Sequence, residues 1–210
     1  MPPKTFNSDQ MRAIQQELET AGLYPGMQAR SFGTAVRADK DDTEKEKIRW
    51  ILTSEQPATV FDWNRWDFVE EVLLMDGMLV PANKQVPFLD SHSRGSVDDI
   101  LGSVTDFQQL EVAGFAACDG LVGFAADEKS QRTRQKALDG HLTDGSVGYE
   151  VIRSVWIPEE EEAAVKGRIF QGPLKVSYQW MLKEFSGTPI GADTLAKVRS
   201  LCAGATCRLI

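Results

Sequence analysis

Only two histidines occur in the 210 residues, His92 and His141. Imidazole is the side chain best suited to take and return a proton near neutral pH. What stands within its reach therefore decides what chemistry the chain can do. His92 closes the run VPFLDSH (86–92), where apolar residues give way to the polar SRGS. Val86, Phe88, Asp90 and His92 have one parity, which in a strand carries the imidazole from the interior toward its mouth. Ser146 stands in DGSVG (144–148), where little side-chain bulk blocks approach to its hydroxyl. Glu184 takes the next alternate position after Leu174, Val176, Tyr178, Trp180 and Leu182. If the strand ends at Lys183, Glu184 stands in water; if it continues, Glu184 points where Trp180 and Leu182 point, a costly place for a carboxylate without a hydrogen-bonding or cationic partner. A hydroxyl, a base within reach of it and an acid on the far ring nitrogen are the parts of nucleophilic acyl transfer. His141 and Asp144, just ahead of Ser146, compete for the base and acid roles, and spacing alone excludes neither histidine.

The elements that must position these groups read mostly as strands. Ile48, Trp50 and Leu52 alternate with polar neighbours, and residues 30–36, 58–63, 68–74, 103–112 and 147–151 are further strand candidates. The segment 112–126 reads as a hairpin turning at Asp119-Gly120. Helices are expected from Asp9 to Ala21, from an Asp127 cap to about Leu138, and over 194–201 after an Asp193 cap, with one helical turn capped by Ser96. The acidic run Glu159–Glu162 and the adjoining AAVKGRIFQG read as an exposed loop. Strands separated by turns, without regular strand-helix alternation, give a mostly β chain with flanking helices (α+β), built on an antiparallel sheet or barrel. One domain covers 30–203, preceded by a helical extension (1–29) and followed by a tail (204–210).

Composition narrows the function classes. The net charge is −8 and no lysine or arginine run offers a face for phosphates, so no nucleic-acid partner is expected. No stretch approaches the roughly 18 apolar residues of a membrane span. The start MPPKTFNSDQ lacks the apolar segment of a secretory signal, so the chain is expected to stay in the cytoplasm that made it. Cys118, Cys202 and Cys207 form neither a disulfide framework nor a paired metal motif. Neither cofactor nor metal is expected, and Ser146 lacks the Gly-x-Ser-x-Gly elbow of an α/β-hydrolase.

Three stretches together resemble the prohead proteases of tailed bacteriophages. VPFLDSHSRGSVDDILGSV (86–104) is similar to that family's apolar-Pro-apolar-apolar-x-x-His motif with its following Gly-Ser-Val element. DGHLTDGSVGYEV (139–151) is similar to its Ser-Val-Gly-Tyr motif, and WMLKEFSGTPIGAD (180–193) to its Glu-apolar-Ser motif. Order and spacing fit over residues 30–200, with Gly187 standing where an apolar residue is more usual. The resemblance implies Ser146 as nucleophile, His92 as general base and Glu184 as the group orienting the imidazole. It implies a mostly antiparallel barrel like that of herpesvirus assemblin, wrapped by helices. Scaffolding and capsid proteins would be the substrates, cut inside the assembling procapsid in the host cytoplasm, with self-cleavage and a homodimer also expected. Backbone amides of Gly187–Gly191, where glycines let a substrate approach closely, are one candidate for the oxyanion donors. The competing reading is an inert capsid-assembly scaffold or binding module with the same fold.

Overall fold

Apolar-polar alternation makes most of the chain strand, and the strands arrange around one long ribbon near the C-terminal end. The computed structural model describes residues 28–31, 35–36 and 47–189. In chain order the strands are β1 (Gln28–Ser31), β2 (Ala35–Val36), β3 (Lys47–Ser54), β4 (Ala58–Asp62), β5 (Asp67–Leu73), β6 (Met78–Leu79) and β7 (Val86–Asp90). They continue as β8 (Ile100–Val112), β9 (Phe115–Phe124), β10 (Asp144–Ile157), β11 (Glu162–Val165), β12 (Arg168–Gln171) and β13 (Leu174–Thr188). One α-helix, α1 (Glu128–Leu138), lies between β9 and β10 among the described residues. The chain is thus mostly β. The helices expected over Asp9–Ala21 and 194–201, and Cys202 and Cys207, lie outside the described residues.

The main sheet follows the order β1-β10-β13-β7-β8-β9-β3-β2, without closing into a ring among the described residues. Most neighbours are antiparallel, but β13 runs parallel to β5, β6 and β7. The main sheet is thus mostly antiparallel, with its parallel pairs gathered at β13. A tight turn can only join antiparallel strands, whereas the long path from β7 to β13 leaves either direction open.

Local signals hold where the backbone itself decides. The Asp127 side chain accepts from the Ser130 amide at 3.0 Å, and Gly140 ends α1 with φ +78°. Ser96 caps the single helical turn Val97–Asp99. Two expectations fail where tertiary packing decides. The hairpin after β8 turns at Ala113 and Gly114, both with positive φ, and β9 runs straight through Asp119-Gly120. A Cβ on Gly120 would lie 2.6 Å from Val104 Cγ1 and 2.9 Å from Leu52 Cδ1, so that glycine serves close packing rather than a turn. The expected loop after Glu159 forms the β11–β12 hairpin. Of the expected strand at 30–36, Arg30 and Ser31 belong to β1, which pairs with β10, and Ala35 and Val36 form β2, which pairs with β3; residues 32–34 lie outside the described residues.

The core behind the site is aromatic. Trp50, Phe88 and Phe185 have ring centroids 5.5–5.8 Å apart and are fully buried. A second, buried polar cluster fastens the β4–β5 hairpin to β13: Lys175 Nζ lies 2.8 Å from Asp62 and 3.4 Å from Glu71, and Glu71 also accepts from Tyr149 and Ser177. Burial pushes the Asp62 carboxyl up, but Lys175 and the Arg65 and Asn64 amides outweigh it and hold it below its ordinary value.

Candidate active site

Strand β13 determines where the site lies. Its pairing with β10 matches Gly148 to Glu184 but Tyr149 to Leu182, so Lys183 has no ladder partner on β10 and the ribbon is bulged there. The bulge reverses the facing of the residues beyond it. Leu182 and Phe185 both pack into the core, while Glu184 and Ser186 face the other side. The expectation that Glu184 shares the face of Trp180 and Leu182 is corrected, because an extra residue shifts the period by one. Its carboxylate is nonetheless buried, at 1% exposure, because the segment after β7 covers it.

That segment is no longer strand. β7 ends at Asp90, and Ser91 and His92 adopt positive φ of 49° and 62°. The expected strand parity of His92 is corrected accordingly: a tight turn, not a strand face, delivers the ring. The turn is tied down on both sides. The Ser91 amide donates to the Gly187 carbonyl at 3.1 Å and the His92 amide to Ser186 Oγ at 3.0 Å. From α1, Lys129 Nζ reaches Asp90 at 3.0 Å, and that hydrogen bond holds the ammonium above its ordinary pKa.

Three groups meet Glu184. His92 Nδ1 lies 2.6 Å from Oε1, Arg94 Nη2 donates to the same oxygen at 3.0 Å, and Ser186 Oγ donates to Oε2 at 2.8 Å. A buried carboxylate persists only with such company. With Nδ1–H donated to the acid, the imidazole keeps Nε2 as the free base. The acid thereby selects the tautomer that general-base chemistry needs.

Ser146 lies opposite Ser186 across the β10–β13 ladder, so their Cα atoms are about 5 Å apart and their side chains share a face. Glu184 and Gly148 belong to that same face. The hydroxyl, the carboxylate and the imidazole resting on it are thus gathered on one side of the sheet, from segments far apart in sequence. Ser146 is 2% exposed, and its other neighbour is Ser31 of β1. His141 is exposed beyond the end of α1, and Asp144, which accepts from Thr143 Oγ1 at 3.0 Å, stands at the start of β10. The acid is paired with His92, not His141.

Gly148 makes this arrangement fit. A Cβ there would fall 2.2 Å from Glu184 Oε1 and 2.8 Å from Cδ and Cγ. Gly148→Ala is expected to push the carboxylate off His92 and lower turnover about 100-fold, with a stability loss of about 1–3 kcal/mol. Rates on a folded variant, checked by circular dichroism, test this.

Sequence reasoning missed Ser186 and Arg94. Both carried a signal: Ser186 is two residues from Glu184, hence beside it on a strand face, and a buried acid calls for a cation such as the one two residues past His92. The expected oxyanion loop is also altered. Gly187 and Thr188 belong to β13, and residues 190–191 lie outside the described residues. Burial first, and then the charge of Asp119, pushes the Cys118 thiol up to about 12, so it carries no nucleophile at neutral pH. Among the described residues no group of three or more His, Cys, Asp or Glu side chains is placed to hold a metal ion. Comparison with protein-family models, curated proteins and solved structures found no match.

Proposed function

We propose that the chain is a serine endopeptidase in which Ser146 is the nucleophile, His92 the base and Glu184 the orienting acid. The observation that carries this reading is the 2.6 Å contact of His92 Nδ1 with a buried Glu184 on the sheet face that also bears Ser146. Ser146 Oγ attacks the scissile carbonyl carbon while its proton passes to His92 Nε2. As the tetrahedral intermediate collapses, the C–N bond breaks and that proton goes to the leaving amine. Water then attacks the acyl-enzyme by the same route, returning the hydroxyl to Ser146. Glu184 stabilises the imidazolium, with Arg94 and Ser186 holding the carboxylate in place.

The resemblance to prohead proteases supplies the finer reading: an assemblin-like barrel, scaffolding and capsid proteins as substrates, self-cleavage, a homodimer, and action within the procapsid in the host cytoplasm. The low exposure of Ser146 favours the second reading, an assembly module with an inert site. A fluorophosphonate distinguishes the two. The protease reading expects a covalent adduct confined to Ser146 and absent from His92→Ala, detected by peptide mass spectrometry. Absence of any adduct on folded wild-type protein supports the inert module.

A further inference from the structure

Beside the acid, on the same side of the sheet, a cavity of about 430 Å³ opens between the segment following His92 and strands β7 and β8. Pro87, Leu89, Val97 and Ile100 give it apolar walls, and Arg94 and Glu184 line it where it meets the site. Two features are not explained by folding. Val97 is 80% exposed and Ile100 44% exposed, so two aliphatic side chains stand toward water at the cavity. Arg94 uses only Nη2 on Glu184; its Nε and Nη1 are buried without a hydrogen-bond partner among the described residues. Buried donors of this kind ordinarily find an acceptor, and an exposed aliphatic pair beside a concave apolar wall ordinarily finds a cover.

We propose that this cavity is a specificity subsite that receives an aliphatic side chain of an extended peptide substrate, whose adjoining backbone carbonyl accepts from Arg94 as the peptide's entry uncovers the guanidinium. An extended peptide supplies both needs at once, an apolar side chain and, within one residue of it, a carbonyl. From Ser146 on β10 to the wall on β7 is two strand spacings, about 10 Å. The residue bound is therefore a few positions from the cut bond and at a fixed offset. The inference rests on the protease reading and deepens it.

The test uses the full chain with a peptide pool made by digesting a denatured proteome, with cut sites sequenced by mass spectrometry. Wild type is expected to show aliphatic residues enriched at one offset by about tenfold over alanine. Val97→Asp, altered at an exposed position, is expected to lose that enrichment while its Ser146 still reacts with fluorophosphonate at the wild-type rate. Cleavage without an aliphatic preference at any offset, or a preference untouched in Val97→Asp, overturns the subsite and leaves the protease standing. Neither cleavage nor labelling of wild type overturns the protease reading and the subsite with it.

Discussion

Ser146→Ala is expected to lower the rate of peptide cleavage about 10⁶-fold while the protein remains folded. The size of the effect comes from what the hydroxyl does: without it no acyl-enzyme forms, and His92 has no proton to take. Only binding and electrostatic stabilisation are left to act on water, a residue of catalysis that other serine enzymes retain at about 10³–10⁴-fold over solution. The measurement is single-turnover cleavage of a peptide pool made from a denatured proteome, alongside circular dichroism. A variant that cuts within tenfold of wild type removes Ser146 from the mechanism and, with it, the assignment of a serine endopeptidase.

Glu184→Gln is expected to cost about 10⁴ in kcat, because an amide in place of the carboxylate no longer fixes the imidazole tautomer. With Nε2 protonated in the wrong tautomer, the base cannot receive the proton of Ser146. The same change has a second, separable consequence. Arg94 Nη2 and His92 Nδ1 both converge on Oε1, so the neutral side chain leaves the guanidinium buried beside no counter-charge. Removing one partner of a buried pair typically destabilises by about 3–5 kcal/mol. Denaturant melts measure this loss, and rates taken well below the melting midpoint measure the catalytic one. A Glu184→Gln enzyme with unchanged kcat shows that the contact is a structural clasp only.

The partnership of His92 and Glu184 was legible because two facts point the same way: a carboxylate in apolar surroundings needs company, and imidazole is suited to give it. The route by which they meet was not. Alternation through Leu182 suggests that Glu184 continues the same face, and only Phe185 betrays the bulge, since residues 182 and 185 cannot both be core in an unbroken strand. The delivery of His92 by a positive-φ turn has no apolar pattern to announce it. Asp119-Gly120 shows the opposite failure, a strong turn signal overridden because Leu52 and Val104 leave no room for a side chain there. Parallel pairing of β7 with β13 joins residues 97 apart, as Phe88 with Phe185, beyond the reach of any local period.

Strand β13 has four strand neighbours, β5, β6, β7 and β10, and carries Glu184 and Ser186 near its end. An element enclosed on both edges frays last, so its amides exchange with solvent only when the whole domain opens. Glu184 is thus mounted on a strand paired along both edges, while His92 arrives on a turn. On the protease reading, local opening is therefore expected to displace the imidazole before it moves the carboxylate beneath.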